Sequence, residues 1–155
     1  MTERTVPFDP AADGWKPRSR TGFFGLVGPL WTRREGDGWA YAFLAEDRHT
    51  NPAGVVHGGM LTTLLDHALS AIAWEANERK PCVTIQLDVQ FLAAVHPGQF
   101  AVARGRVVRK TGSLVFMQGG LEVDGIEVAA ASMILKVIGG SAAGGTGPAS
   151  RPVST

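Results

Sequence analysis

A single cysteine, Cys82, stands in the 155-residue chain, so no disulfide can close within it, and a lone thiol suits a reducing compartment. Charge of one sign is not in excess either, with 15 lysines and arginines against 14 aspartates and glutamates. Near-neutrality removes the reason to expect a nucleic acid or an acidic lipid surface held by bulk charge. Long apolar runs are also missing. No stretch approaches the roughly 18 residues of a membrane span, and the opening MTERTVPFDPAADGWKPRSR is polar and proline-broken, without the apolar centre of a signal peptide. There is no internal repeat. These gaps leave the expectation of one ordinary cytoplasmic domain, able to hide roughly two thirds of the surface of its unfolded form.

What is present is well punctuated. Pro7, Pro10 and Pro17 mark residues 1–21 as a lead segment that either packs over the domain, with a short helix, or is loosely ordered. GFFGLVGPLWTRRE (22–35) and WAYAFLA (39–45) flank Gly-Asp-Gly, a hairpin signal. The turn-rich EDRHTNPAG then precedes a helix that starts near Gly58 and is apolar around most of its circumference. After Pro81 the period becomes two. Val83, Ile85, Leu87, Val89 and Phe91 fall on one face and Thr84, Gln86, Asp88 and Gln90 on the other, the pattern of a half-buried antiparallel strand. Three more strands follow, joined by Thr111-Gly112 and by Asp124-Gly125, the latter suited to a two-residue primed turn. The Gly, Ala and Ser-rich stretch 139–155 is expected to be disordered. A helix that apolar needs covering on nearly all sides. The order of elements therefore predicts an α+β domain over residues 22–138, a curved antiparallel sheet of about five to six strands wrapped around one long central helix, with an open face or edge for a partner subunit.

One residue resists this scheme. Asp66 lies in the middle of the apolar helix, and a carboxylate stripped of water there costs several kcal/mol or more unless it is paired or hydrogen-bonded. The plain explanation is a structural aspartate held by Thr62, Thr63 or Ser70. A functional one begins at the helix start, where Gly58 and Gly59 remove side-chain bulk from backbone N–H groups that have no intrahelical acceptor, at the positive end of the helix dipole. Such a pair also serves simply to permit a tight turn. Asp66 sits eight positions past Gly58, roughly 12 Å along the axis at 1.5 Å per residue. If the two cooperate at one site, they belong to two copies of the helix related by a twofold axis.

The stretch NPAGVVHGGMLTTLLD, with Asn51, Gly54, His57, Gly58, Gly59 and Asp66, resembles the signature of hotdog-fold thioesterases of the phenylacetate-pathway (PaaI-type) group, and the resemblance extends from about Gly22 to Ile138. It implies an acyl-coenzyme A thioesterase working as a homodimer or a homotetramer of paired dimers. It assigns Asp66 as base or nucleophile and the Gly58 N–H as oxyanion donor. Asn51 would fix the water or the thioester, His57 would orient the carbonyl, and Thr84 would hold water near the acid. Gly59 would border the substrate. Arg109 and Lys110 are candidates for the coenzyme A phosphates, against the plain reading of solvated strand charges. His67 is read as packing or interface. His49, His96 and Cys82 show no metal-ligand spacing, so neither metal nor other cofactor is expected. Two other functions remain open at this point, a hotdog hydratase or dehydratase and a non-catalytic acyl-coenzyme A-binding protein.

Overall fold

The turns marked by glycine and proline recur in the computed structural model, which describes residues 7–18 and 21–139. Among these residues are seven strands, β1 (Lys16–Arg18), β2 (Leu30–Glu35), β3 (Gly38–Leu44), β4 (Cys82–Phe91), β5 (Phe100–Lys110), β6 (Leu114–Val123) and β7 (Ile126–Val137). Two α-helices accompany them, α1 (Gly22–Val27) and α2 (Gly58–Ala76). The strands form one antiparallel sheet in the order β1-β2-β3-β5-β6-β7-β4. Its connectivity follows from α2, which carries the chain from β3 to the far edge at β4, after which β5 returns beside β3. Asp124 and Gly125 both take positive φ, 51° and 78°, as a primed turn requires. No helix among the described residues is long and apolar enough to cross a membrane.

The sheet bends around α2, which touches β3, β4, β5, β6 and β7. Leu61, Leu64, Leu65, Ala68, Leu69 and Ala73 recur at helical spacing and are buried. The expected hotdog arrangement is therefore present, and two strand glycines permit it. Gly105 and Gly119 pair directly across β5 and β6, and a Cβ on Gly119 would come within 2.6 Å of Leu69 Cδ2. At this point Leu69 fits against the sheet because both side chains are missing.

Three local departures from the sequence reading have physical causes. The sheet has a seventh strand beyond the expected five to six, because the described part of the lead segment takes the first of its two expected forms and packs over the domain: a 3-10 turn at Pro10–Asp13 brings Trp15 onto Ala40 and Ala42 on the outer face of the sheet, and β1 pairs with β2. An edge strand tolerates Pro17, whose lack of an N–H costs no ladder bond there. The run from Gly22 is not all strand. Its first six residues form α1, whose Phe24 ring packs on His67 of α2 at 4.8 Å, and β2 starts only after Pro29. In β4, Thr84 faces Leu135 and Gln86 faces Ile134, so Ile85 is an extra residue, a β-bulge. The strict alternation breaks there. Thr84 turns toward the helix with Leu87 and Val89, while Val83 and Ile85 are 45% and 55% exposed on the other side. The expectation for 140–155 lies outside the described residues.

Across the outer sheet, Arg104 donates from Nε and Nη2 to Glu35 at 2.7 and 2.9 Å. The Arg104 hydrogen bonds hold the Glu35 carboxyl down at about 2, against the raising effect of partial burial and with further lowering from Arg33. A depressed carboxyl stabilises the fold above its unfolded value and loses that contribution as pH falls through its folded value. Glu35→Gln is thus expected to lower the urea midpoint at pH 6, with the gap to wild type closing as pH falls from 4.5 to about 2. Gly119→Ala is expected to cost about 1–3 kcal/mol in the same assay, because its Cβ meets both Leu69 and the Arg104 carbonyl.

Candidate active site

Residues 50–57 form a tight loop closed by a bridge between Thr50 and Val56. Asn51 Oδ1 accepts the Ala53 N–H at 2.9 Å, and the Gly54 N–H donates to the Asn51 carbonyl at 2.9 Å. Gly54 takes φ of 81°, a backbone that favours glycine. With its oxygen engaged, the Asn51 side chain presents its Nδ2 hydrogens as donors. His57 caps α2 by accepting the Gly59 N–H on Nδ1 at 2.8 Å. A Cβ on Gly59 would approach that nitrogen to 2.9 Å, so this cap requires the glycine. Because Nδ1 accepts, the neutral ring carries its proton on Nε2 and donates from there. The Gly58 N–H has no acceptor inside the helix.

Asp66 is half-buried two turns further on. Thr84 Oγ1 donates to Asp66 Oδ1 at 2.8 Å, and Ser70 Oγ lies 3.2 Å from Thr84 Oγ1. An ionised carboxylate only accepts, and the single Thr84 proton goes to it. The Thr84–Ser70 bond must then run from the Ser70 hydroxyl to the Thr84 oxygen. Both hydroxyls also lie 3.9 Å from the Met133 sulfur, a weak acceptor. The chain of donors fixes Oδ1 and leaves Oδ2 for a reacting partner. The bulge at Ile85 makes this possible, since without it Thr84 would not share a face with Leu87 and Val89.

The predicted residues fall into three groups along α2. Asn51, His57, Gly58 and Gly59 gather at its N-terminus, Asp66 and Thr84 at its middle. Arg109 and Lys110 stand at its C-terminal end, where Lys110 Nζ donates to the Ala76 carbonyl at 3.1 Å, a cation placed on the negative end of the helix. One chain does not bring Gly58 and Asp66 together. His67 is a packing residue, with ring contacts to Phe24 and Tyr41 at 4.8 and 5.7 Å. Burial pushes its pKa below the usual imidazole value, with Asp66 opposing. His49 is structural too, buried with Nδ1 accepting from the Glu46 N–H and Nε2 on the Val27 carbonyl.

Ser70, one of the expected holders of Asp66, lies one turn along the same helix face and reaches the carboxylate through Thr84. Phe91 keeps the face of Leu87 and Val89. Its ring lies against Gly58, where a Cβ would come within 3.1 Å of Cζ, a contact that no local signal announces.

Comparison with known proteins places this geometry in context. Residues 53–130 match the sequence model of the thioesterase superfamily. A candidate esterase of Pseudomonas aeruginosa is 28% identical over 123 residues, covering 77% of this chain and 92% of that protein. Human acyl-coenzyme A thioesterase 13 is 31% identical over 72 residues, 46% of this chain and 51% of that protein, so the chain spans about half the length of this relative. Among solved structures, a variant of the phenylacetic acid degradation protein PaaI from Thermus thermophilus superposes with a TM-score of 0.67 at 23% identity, covering 75% of this chain and 98% of that one. That likeness establishes a common fold.

Thr84 separates a positioned carboxylate from a merely solvated one. Thr84→Val keeps the shape and removes the donor, and is expected to lower kcat for thioester hydrolysis by roughly 10–100-fold, the value of one hydrogen bond to a charged group. Thr84→Ser, which restores the hydroxyl, is expected to stay within about threefold of wild type.

Proposed function

The chain belongs to the thioesterase superfamily, and from that premise we propose that it hydrolyses acyl-coenzyme A thioesters at sites shared between two copies related by a twofold axis. The thioester hydrolase activity comes with the family; the coenzyme, the division of roles and the assembly are this proposal. One observation carries it: Asp66 is held by Thr84 in mid-helix, about 12 Å along its own axis from the Gly58 N–H. An antiparallel second helix places each Asp66 opposite the other copy's Gly58 and Asn51, twice per dimer.

In the simplest course, Asp66 Oδ2 takes a proton from water while the water oxygen adds to the thioester carbonyl carbon. The carbonyl oxygen becomes an oxyanion that accepts from the Gly58 N–H, worth roughly 3–4 kcal/mol in the barrier for one good donor. His57 Nε2–H orients the same carbonyl. The Asn51 amide donates to the water or the thioester. Collapse of the tetrahedral intermediate breaks the carbon–sulfur bond, and the proton held by Asp66 goes to the leaving coenzyme A sulfur. In the nucleophilic alternative, Asp66 adds to the carbonyl carbon itself, the carbon–sulfur bond breaks to release coenzyme A as its thiolate, and water hydrolyses the resulting anhydride to the free acid and the Asp66 carboxylate, with one proton from that water ending on the thiolate.

The edge of the sheet supports pairing. β4 is an edge strand with Val83 and Ile85 exposed, the type of edge that soluble proteins cover. Arg109 and Lys110 end β5 beside the last turn of α2, where Lys110 meets the Ala76 carbonyl; Ala76 is ten residues past Asp66, roughly 15 Å along the helix, a separation suited to the pantetheine arm between thioester and phosphates. They are the proposed phosphate ligands, in a homodimer or a dimer of dimers in the cytoplasm.

Asp66→Asn is expected to retain the fold and lower kcat by orders of magnitude, because the amide accepts no proton. Subunit exchange tests the shared site. When inactive Asp66→Ala and Asn51→Ala chains are unfolded and refolded together, half of the randomly paired dimers are mixed, and one site in each mixed dimer is whole. About a quarter of wild-type thiol release should return. No recovery, with exchange confirmed by a mass tag, removes the shared site.

A further inference from the structure

A groove of about 410 Å³ opens beside Gly58, between the first turn of α2 and the segment that follows β4. Its described lining is wholly aliphatic or aromatic. Val56, Leu61 and Val95 are buried at its floor, while Phe91 and Leu92 are exposed at its rim. The Val56 N–H donates to the Val95 carbonyl at 2.8 Å, tying the two walls together. Phe91 is the largest side chain in this lining, and it is 55% exposed despite ending a strand whose Leu87 and Val89 turn inward. The end of its ring points at the helix start. Cζ, Cε1 and Cε2 would lie 3.1, 3.3 and 3.5 Å from a Cβ on Gly58. The ring thus rests on the residue whose N–H the reaction uses, and forms the side of the groove nearest to it.

We infer that Phe91 sets which acyl groups this thioesterase accepts, by limiting the width of an apolar acyl groove at the point where the thioester carbonyl meets Gly58. The inference rests on the reading that Gly58 receives that carbonyl. Two consequences follow from the lining. The acyl group is an uncharged hydrocarbon or aryl group, because no described side chain of the groove can pair or hydrogen-bond a terminal carboxylate. Bulk next to the carbonyl meets the ring, whereas bulk further out does not. A branched or aryl carbon attached directly to the carbonyl is therefore disfavoured relative to a methylene. Phe91→Leu keeps part of the apolar volume that Phe91→Ala removes, so the pair separates a change in groove width from a loss of fold.

The test is a substrate panel followed by thiol release: hexanoyl-, phenylacetyl-, benzoyl-, pivaloyl- and succinyl-coenzyme A, with circular dichroism melting as the folding control. Phe91→Ala is expected to raise the kcat/KM ratio of pivaloyl or benzoyl to hexanoyl by roughly tenfold or more, and Phe91→Trp to lower it, in line with the discrimination that a steric change of this size gives. Phe91→Leu should fall between Phe91→Ala and wild type. Succinyl-coenzyme A should remain the poorest substrate in every variant. Ratios that stay fixed while wild type hydrolyses the apolar members, and Asp66→Asn does not, overturn the inference about Phe91 and leave the thioesterase reading in place. Efficient succinyl hydrolysis by wild type overturns the apolar groove. A wild-type chain that releases no thiol from any member overturns both.

Discussion

An apolar helix of 19 residues can be kept from water by a single sheet only if the sheet bends around it, and the rest of this molecule follows from that requirement. The bend brings β5 and β6 so near to α2 that Leu69 occupies the space of two absent side chains, at Gly105 and Gly119. What the sheet does not reach, other segments cover. Phe24 of α1 and Tyr41 of β3 close on His67, and Trp15 from the lead segment shields the outer face at Ala40 and Ala42. One stripe of the helix, running through Asp66 and Ser70 to Trp74, stays half-open.

That open stripe is where a carboxylate is affordable. Water or a partner supplies part of its solvation, and the protein supplies the rest through Thr84 and, behind it, Ser70. The direction of these two bonds is set by chemistry alone, since a carboxylate has nothing to donate. Their existence depends on one extra residue in β4. The bulge at Ile85 exchanges the faces of the strand, turning a threonine hydroxyl inward and two aliphatic side chains outward at the edge. The same displacement thus gives the carboxylate its donor and leaves the edge strand with an exposed apolar surface.

The helix end is built by different means. A loop closed by Asn51 and Gly54 delivers His57 as the cap, and the cap bond to the Gly59 N–H settles which imidazole nitrogen donates. Gly58 is left with its N–H outward and Phe91 alongside. Gly58 and Asp66 therefore stand at the two ends of an eight-residue span of one helix, roughly 12 Å apart along its axis, and it is this separation that the proposed shared site answers.

Much of this was determined locally and was readable in the sequence: the long helix from its apolar periodicity, the start at Gly58 from the glycine pair, the Asp124-Gly125 turn from its dipeptide, and Asp66 as an outlier from its surroundings. The motif Asn51, Gly54, His57, Gly58, Gly59, Asp66 identified the family because its spacing is enforced by one loop and one helix. Other features depend on contacts between distant segments. No pattern within residues 82–91 reveals that Ile85 is an extra residue, because a bulge is defined against the partner strand β7. Nor does the sequence announce that α1 takes the first six residues of the run before the hairpin, that Pro17 lies in an edge strand, or that the Phe91 ring lies on Gly58. Periodicity reports which face a residue would take if its element were regular; only tertiary structure decides where regularity is broken, and here the hydroxyl that holds Asp66 lies at such a break.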